Sequence, residues 1–559
     1  DVDRSRSHKV NAVFIIGVND GSFPSVNKDE GFFNDADREY LKQEGIELAK
    51  STLDKLYEDN FNIYKAFTTA ENQIYLSYVS SDCDGKSLRP SILIGKIKKM
   101  YPKLQEKSDV IYKEYKVENK ISTYEQLIEN ISRLRNKEKI DDVWYYIYQY
   151  YKSQSDWNKK LEADLKGLEY TNLPEKIKKE NLEKLYGNTL NTSISRLEKY
   201  RSCPFSYYLQ YGLKLKEKEQ LKIQSFNTGS FMHETIDEFF EYVRQEGLSL
   251  AELEEEQITK IVSEIIENNL KMSKNYIFTA TAKYKVLVRR LKKIVSKALK
   301  YIIETIIYSD FSIEGTEVEF GKNGRYKPIV LEIGEGKKVE ITGKIDRIDT
   351  SKNEDGKYLR IIDYKSSAKN IDLNEVYAGL QIQLLTYTDA ICREEDIMPA
   401  GVFYFSLLEQ MVKADKKMTE DEIEETIRKN FKMKGLIIAD VKIIKMNDNT
   451  LKTGNSKLVP AALTTSGTIN EKWTNGVKAE EFRTLQEYIY KTIKDISKEI
   501  LSGNIDLKPY YKKGKTPCQY CEYKAVCGFN SRQENNTYNY IEQKSKDEIL
   551  LKMKKNLEE

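Results

Sequence analysis

The chain has 559 residues, 91 of them basic and 88 acidic, so its net charge is only +3. This balance excludes a globally basic surface, and contact with nucleic acid would have to come from local patches. No apolar run approaches the roughly 18 residues that cross a bilayer, and no signal peptide precedes the charged first residues. We therefore expect a cytoplasmic protein of about two to four domains. Because residue 1 is Asp and a strand follows shortly, we also expect a fragment of a longer chain.

The first segment, residues 1–105, is predicted to be of α/β type. The run NAVFIIGVNDGSFP at 11–24 is apolar and closed by turn residues, which indicates a buried parallel strand that ends in a loop. Residues 72–91 begin with a second such run, NQIYLSYV, and residues 34–68 between them have helical periodicity.

The tripeptide GKS at Gly85–Ser87 resembles the end of a phosphate-binding loop. Such a loop needs a glycine five positions before Gly85, where backbone amides wrap the phosphates, and position 80 is Ser. We therefore expect no ATP site in this chain.

The rest of the chain is predicted to alternate between helical and strand-rich segments. Residues 106–186 are rich in Lys and Glu with apolar positions at helical spacing, and we interpret them as a helical connector, with plain helical packing as the alternative. Beyond it we expect helices over 225–310, short strands over 315–365, a helix over 374–391, a strand over 400–407 and a charged tail over 531–559 that is helical or frayed.

Two neighbouring strands of the strand-rich segment carry carboxylates. GKIDRID at 343–349 includes Asp346, and LRIIDYKSS at 359–367 includes Asp363 and Lys365. Asp363 and Lys365 are two residues apart, so their side chains point to one face of the strand. Carboxylates that hold a hard cation beside a lysine suit metal-dependent phosphodiester hydrolysis. Ordinary acid–base pairs on a surface strand are the alternative.

Two helices flank these strands in the sequence with further candidate groups. His233 lies at the edge of an apolar helical stripe in NTGSFMHETIDEFFEY, where a structural histidine is the alternative to a metal ligand. Gln383 and Tyr387 are four residues apart on one helical face, where they could reach a phosphate or the lysine, or form only a polar helix face.

The order of these motifs, G-x-x-x-H, G-x-x-D-R-x-D, D-Y-K and Q-x-x-x-Y, resembles the RecB-type nuclease domain of the PD-(D/E)-x-K superfamily. The resemblance implies a Mg²⁺-dependent deoxyribonuclease with Lys365 catalytic and with Gln383 and Tyr387 in its helix motif. The metal ligands that it implies are His233, Asp346, Asp363 and the backbone carbonyl of Tyr364. Glu317 in EVEFG matches a further acidic position.

Four of the six cysteines bracket the nuclease motifs. Cys203 precedes them, and CQYCEYKAVC places Cys518, Cys521 and Cys527 after them. Four thiolates can hold a [4Fe–4S] cluster or a zinc ion, although zinc sites usually come as two close pairs. The one-plus-three spacing resembles the iron–sulfur staple of a subset of RecB-type nucleases, which implies one 4Fe-4S cluster. We expect Cys83 and Cys392 to bind no metal.

Residues 11–24 and 72–91 resemble the end of the second motor lobe of superfamily 1 helicases. Together with a stapled nuclease they resemble the nuclease subunits of the bacterial AddAB helicase–nucleases. The implied organisation is a remnant of the helicase-like lobe (1–105), the connector (106–186), a nuclease domain with large helical insertions (187–530) and the tail.

The same resemblance implies a function. The expected activity is exonuclease action on the 5′-ended strand of broken duplex DNA during recombinational repair, with the helicase-like part taking part in recognition of a recombination hotspot. The expected partners are DNA, a motor subunit of the AddA type and the missing N-terminal half of the same subunit. Two alternatives are a stand-alone iron–sulfur nuclease of the CRISPR-adaptation type, against which the helicase-like segment argues, and a catalytically silent DNA-binding scaffold.

Overall fold

The computed structural model describes residues 9–558 apart from 25–32, 47, 83–85, 109–116, 118, 136–137, 169–170, 219–221, 335, 409–417 and 532–534. Cys83 and Gly85 of the sequence analysis lie outside the described residues. The chain separates into two compact units, Asp1–Gln126 and Leu127–Glu559. Within the described ranges, every helix is too short or too polar to cross a membrane.

The first unit contains a parallel pair of strands, as predicted, with helices around it. Its elements are β1 (Val10–Ile15), α1 (Asp35–Gln43), α2 (Thr52–Thr68), β2 (Ala70–Leu76) and α3 (Ile92–Met100). The prediction that the first strand is buried was wrong, because Phe14 is 69% exposed. A parallel strand is buried only when layers cover both of its faces. In the described part of this unit most residues of β2 are exposed as well, so the strand pair is not covered on both faces. Phe14 instead stacks on Tyr75, with ring centroids 4.5 Å apart.

The second unit, with the helix that leads into it, is a mixed α/β assembly. The helices are α4 (Lys120–Arg135), α5 (Val143–Ser153), α6 (Ser155–Leu168), α7 (Lys179–Tyr186), α8 (Ile194–Ser202), α9 (Pro204–Tyr207), α10 (Ser225–Gln245), α11 (Glu255–Asn269), α12 (Ala282–Ile307), α13 (Leu373–Tyr377), α14 (Gln383–Glu395), α15 (Glu420–Phe431), α16 (Val441–Asn447), α17 (Ala479–Leu501), α18 (Lys524–Cys527) and α19 (Lys546–Glu558). The strands are β3 (Thr189–Thr192), β4 (Ser312–Phe320), β5 (Ile329–Gly334), β6 (Lys337–Ile341), β7 (Gly343–Asn353), β8 (Gly356–Lys365), β9 (Met398–Ser406), β10 (Lys434–Ile438), β11 (Gly454–Asn455), β12 (Ala462–Leu463), β13 (Gly476–Val477), β14 (Tyr510–Tyr511) and β15 (Asn539–Tyr540).

A six-stranded sheet in the order β13-β10-β9-β8-β7-β4 lies at the centre of this unit. The strand pairs β4/β7 and β7/β8 are antiparallel, whereas β8 and β9 run parallel. Successive side chains of a strand point to opposite faces, so Leu359 and Ile361 pack into one core with α8, α14 and α17. Ile362 and Tyr364 pack into a second core with α10, α11 and α12. The sheet therefore has an apolar helical layer on each face.

The structure divides one predicted helix and gives an ordered helix to the predicted tail. The helix predicted over 374–391 is broken into α13 and α14, because Gly379 and Gln381 between them have positive φ angles of 79° and 54°. At the end of the chain, α19 buries Ile549, Leu550 and Met553 in the same core as α14 and α17. The predicted boundaries at 105, 186 and 530 stay predictions.

A fully buried ionic network joins β7 to β8. Asp349 accepts hydrogen bonds of 2.6 Å from Nε and Nη2 of Arg347 and one of 2.8 Å from Nε of Arg360. Arg360 donates further hydrogen bonds to the Thr305 carbonyl at the end of α12 and to Asn447 of α16. Burial alone would raise the pKa of Asp349, but the two guanidinium groups lower it, so the carboxylate is charged. This network holds the two strands that carry Asp346 and Asp363 in one register.

We predict that Asp349→Asn strongly destabilises the protein. The change leaves two buried guanidinium groups without their counter-charge, and breaking a buried ion pair in this way costs about 3–5 kcal/mol. The midpoint of urea unfolding measures the loss. The matched control is Asp355→Asn, which removes the carboxylate of an exposed ion pair with Lys442 next to the β7–β8 turn and should leave the midpoint unchanged. Equal midpoints for the two variants would contradict the prediction.

Candidate functional site

Three of the candidate ligand groups meet beside the central sheet. One ligand atom each from His233 of α10, Glu317 of β4 and Asp346 of β7 lie within 4.8 Å of one another. Nδ1 of His233 is 3.3 Å from Oδ2 of Asp346. Glu317, the least specific match in the sequence, lies between the paired residues Thr316 and Val318 and therefore opposite Asp346 on the neighbouring strand. Its φ of 48° is rare for a residue other than glycine, and strain of this kind is concentrated at functional sites.

Asp363 and Lys365 project from β8 into the same site, as their spacing predicted. Nζ of Lys365 lies 2.5 Å from Oδ2 of Asp363, so the ammonium group pairs with this buried carboxylate. Burial and the nearby Asp346 carboxylate together raise the pKa of Asp363 to about 6, although Lys365 opposes both effects. A buried carboxylate close to a second carboxylate fits a position for a cation.

The backbone of Tyr364 lies against Asp346. The Tyr364 N–H donates a 2.7 Å hydrogen bond to Oδ2 of Asp346, so the side chain of one strand binds the backbone of the next. This contact places the peptide of Tyr364 beside the carboxylate. The role of the Tyr364 carbonyl as a metal ligand stays a prediction.

The electrostatics of His233 reflect the negative charge around it. Burial alone would lower the pKa of His233, but the hydrogen bond to Asp346 and the charges of Asp346, Asp363 and Glu317 raise it. Three carboxylates around one imidazole form a strongly negative site, which attracts a cation.

Gln383 and Tyr387 lie one helical turn apart in α14, on the side that faces the site. Burial raises the pKa of the Tyr387 hydroxyl, the charges of Glu198, Asp363 and Asp346 act in the same direction, and a hydrogen bond with Gln383 opposes them. Its ring stacks on Phe320 of β4, with ring centroids 5.2 Å apart. Tyr387 also covers the backbone of Gly343, which explains the glycine at the start of the G-x-x-D-R-x-D motif.

The four predicted cysteines, which flank the nuclease motifs in the sequence, are linked by electrostatic interactions of Cys203 with Cys518 and Cys521, and of Cys518 with Cys521 and Cys527. Burial, with smaller effects from the thiols of Cys518 and Cys521, raises the pKa of the Cys203 thiol to about 11. Burial also raises the pKa of Cys518, and Cys527 and Cys521 act on it in the same direction. All four are free of disulfides. The remaining described cysteine, Cys392, lies in α14 beside Asp389 and Glu395.

Hydrogen bonds hold the two chain ends together around these cysteines. The Tyr523 hydroxyl donates to the Leu215 carbonyl at 2.9 Å, and the Phe205 N–H donates to the Asp506 carbonyl at 3.3 Å. Asn172 donates through its side chain to the carbonyls of Cys527 and Gly528, both at 3.1 Å. Four neighbouring cysteines, half-buried or buried, are a donor set that suits an iron–sulfur cluster or zinc.

Sequence reasoning missed Glu198 of α8. Its carboxylate contacts the first residues of α14 and lies near Lys365. The sequence offered one signal for Glu198. It follows the buried Ile194 by four residues, so a charged side chain lies on the apolar face of the helix.

Two family models match the chain. Residues 191–528 match the PD-(D/E)XK nuclease superfamily, a range that includes all four clustered cysteines. Residues 114–167 match the fifth domain of the ATP-dependent helicase/deoxyribonuclease AddB.

Curated relatives named as B-type subunits of ATP-dependent helicase/deoxyribonucleases match the whole chain. The relative from Clostridium novyi is 38% identical over 571 residues, which cover 100% of this chain and 50% of the relative. The relative from Acetivibrio thermocellus is 37% identical over 570 residues, with the same coverage. The relative from Clostridium tetani is 36% identical over 565 residues, covering 100% of this chain and 49% of its own. The chain thus spans about half the length of the relatives that it matches.

We predict that Gly343→Ala disturbs both stability and the site. An added Cβ would overlap the Tyr387 hydroxyl and lie 2.6 Å from its Cζ, so the tyrosine must move from its place against Phe320. Overpacking of this kind costs roughly 1–3 kcal/mol, which thermal unfolding would detect. Gly321→Ala is the matched control, because the added Cβ meets no atom within 4 Å. A Gly343→Ala variant with the melting temperature of the wild-type protein would refute this account of the motif glycine.

Proposed function

Because the chain belongs to the PD-(D/E)XK nuclease superfamily and is homologous to about half of each B-type helicase/deoxyribonuclease relative, we propose that it carries the nuclease of a bacterial helicase–nuclease. The proposed reaction is metal-dependent hydrolysis of DNA phosphodiesters at broken duplex ends, in recombinational repair in the cytoplasm. The observation that carries the proposal is the meeting of Asp346 and Asp363 with His233 and Lys365.

The residues present fit a divalent cation. His233, Asp346, Asp363 and the carbonyl of Tyr364 would hold it, with Glu317 close enough to take part. We propose Mg²⁺, because most of these ligand atoms are oxygens, which this hard cation prefers. When bound, the cation would supply Lewis-acid polarisation of the scissile phosphodiester.

Other side chains of the site have roles that need no metal. The ammonium group of Lys365 can orient the attacking water and stabilise negative charge that develops on the phosphate. Gln383 and Tyr387 can hold Lys365 or a DNA phosphate in place, since both lie on the turn of α14 that faces the carboxylates. In this proposal the buried Arg347–Asp349–Arg360 network keeps β7 and β8 in register under the reacting groups.

We further propose that Cys203, Cys518, Cys521 and Cys527 hold one 4Fe-4S cluster. The proximity of the four thiols supports the proposal, as does the one-plus-three spacing, which differs from the paired spacing usual for zinc. The cluster would join segments separated by more than 300 residues of chain, from Cys203 to Cys518.

The expected strand and partners rest on the resemblance to the AddAB helicase–nucleases, whereas the relatives' names add only that those proteins are subunits of ATP-dependent helicase/deoxyribonucleases. We propose cleavage of the 5′-ended strand, delivered by a motor subunit of the AddA type and by the part that the relatives contain and this chain does not. The first unit would be the remnant of a superfamily 1 helicase-like lobe that contributes to sequence recognition. Degradation of blunt duplex DNA that is labelled at either the 5′ or the 3′ end of one strand shows which strand is cleaved.

We predict that Asp363→Ala abolishes cleavage and leaves DNA binding largely intact. The change removes a metal ligand, whose loss should lower the rate roughly 100-fold or more, whereas phosphate contacts elsewhere supply most of the affinity. Cleavage of a labelled single-stranded oligonucleotide in Mg²⁺ measures the rate, and fluorescence anisotropy measures binding. Asp355→Ala on the exposed β7–β8 turn is the control. Wild-type cleavage by Asp363→Ala would refute the assigned site, and an inactive wild-type protein that binds DNA would favour the scaffold alternative.

We predict that alanine at any one of the four clustered cysteines removes the visible absorbance of anaerobically purified protein. Loss of the cluster should also lower the unfolding midpoint, because a link between distant segments restricts the unfolded chain. Iron and sulfide analysis with an absorbance spectrum provides the measurement. Cys392→Ala should keep both the colour and the midpoint. One zinc per chain without iron would contradict the assignment.

A further inference from the structure

Tyr404 of β9 lies next to Asp363 in the central sheet. The parallel register of β8 and β9 pairs Asp363 with Tyr404, so the two side chains lie on the same face of neighbouring strands. The Tyr404 ring is buried in the core that α8, α14 and α17 form on that face. An aromatic ring therefore borders the carboxylate site on the side of β9.

Two lysines place their ammonium groups near this ring. Nζ of Lys369 lies 4.9 Å from the centroid of the Tyr404 ring, and Nζ of Lys365 lies 5.9 Å from it. A ring face attracts a cation within about 6 Å of its centroid. A lysine can also lay its aliphatic stem on apolar surface while its charge stays accessible. Tyr404 thus holds a second lysine, which is outside the D-Y-K motif, beside the site.

The lysines of the site differ in their partners. Nζ of Lys365 pairs with Asp363 at 2.5 Å, and Nζ of Lys344 on β7 pairs with Glu317 at 2.6 Å. Within the part of the chain that the structure describes, Lys369 forms no ion pair with a carboxylate. Its contact with the Tyr404 ring leaves the N–H groups of the ammonium free to donate to a ligand.

The charge of Lys369 is therefore available to an anion. Glu198 interacts with it electrostatically, but Oε1 of Glu198 accepts the N–H groups of Ile382 and Gln383 at the start of α14. Lys369 is half-buried, so its ammonium group has lost part of its hydration without gaining an ion pair. A phosphate oxygen compensates such a group well, because charge-assisted hydrogen bonds are stronger than neutral ones.

The segment that leads to Lys369 is accessible from solvent. Ser366, Ser367 and Ala368 follow the catalytic lysine directly and are exposed. The start of α10 approaches this segment, since a Cβ added at Gly229 would lie 3.9 Å from the Ser366 hydroxyl oxygen. A nucleic-acid strand can therefore reach Lys369 next to the helix that carries the histidine of the site.

We propose that Lys369 binds a backbone phosphate of the DNA strand, next to the phosphodiester that is cleaved. The proposal rests on the nuclease function proposed above. The carboxylates of the site repel a polyanion, and Lys365 acts on the cleaved phosphodiester itself. A separate cationic group favours binding of the neighbouring phosphate, and Tyr404 keeps Lys369 in place for it.

The test places one neutral linkage in the substrate. A series of single-stranded oligonucleotides carries one methylphosphonate each, at successive positions near one end, so that each lacks the charge of one phosphate. The full chain digests them in Mg²⁺ for short times, and the bands on a gel report cleavage at every distance from the neutral linkage. We expect wild-type protein to cleave roughly 10-fold less where the neutral linkage replaces the phosphate that Lys369 binds, the size of one lost charge-assisted hydrogen bond.

Lys369→Met removes the charge and keeps an unbranched side chain on the Tyr404 ring. On the unmodified oligonucleotide kcat/KM should fall roughly 10-fold, and the variant should cleave equally whether that one phosphate is charged or neutral. In anisotropy measurements without Mg²⁺, the plot of log affinity against log salt concentration should flatten by roughly 0.7, as expected for one lost contact to a single strand. Lys369→Arg keeps the charge and should keep the sensitivity of the wild-type protein.

The control is Lys352→Met, which removes an exposed lysine at the opposite end of the β7–β8 pair and should keep the wild-type rate and band pattern. A Lys369→Met variant that keeps the wild-type sensitivity to every neutral linkage would overturn the proposal, even if its rate falls. A wild-type protein that is insensitive to neutral linkages next to the cleaved one would also overturn it. If Lys369→Met gives no folded protein, Lys369→Gln replaces it with the same expectations.

Asp363→Ala, measured in parallel, separates this inference from the proposed function. If Asp363→Ala is inactive and Lys369→Met behaves as the wild-type protein, only the inference about Lys369 fails. If Asp363→Ala is fully active, the proposed nuclease site itself is wrong.

Discussion

The site depends on the buried charge of Asp349. This carboxylate binds Arg347 of its own strand and Arg360 of the next, and Arg360 continues to the ends of α12 and α16. A buried ion network of this kind contributes less to net stability than to a unique arrangement, since any shift would leave charges unpaired. Its effect here is positional, because a slip of one residue between β7 and β8 would move Asp346 and Asp363 to opposite faces.

The site itself combines features that oppose folding. Three carboxylates surround His233, the charged side chain of Asp363 is buried, and Glu317 has a positive φ. Like charges and strained backbone persist only where the surrounding structure holds them. The apolar cores on the two faces of the sheet provide that restraint, and a bound cation would relieve the repulsion among the carboxylates.

Two segments of the second unit that are far apart in the chain meet on one side of the site. The segment after α8 and the segment from Asp506 to Cys527 share backbone and side-chain hydrogen bonds, and four cysteines lie among them. The turn before α14 receives contacts from both segments, through Arg201 and Glu198 on one side and Lys512 on the other. The cysteine cluster and the carboxylate site are therefore parts of one connected structure.

The sequence by itself determined the features that depend on local spacing. Alternation placed Asp363 and Lys365 on one face of β8, and helical period placed Gln383 and Tyr387 on one turn of α14. Tertiary structure alone decided which distant groups meet. The left-handed turn at Gln381, the capping of α14 by Glu198 and the placement of Glu317 beside His233 have no strong local signal. These contacts arise from the packing of segments far apart in the chain, where long-range geometry outweighs intrinsic propensity.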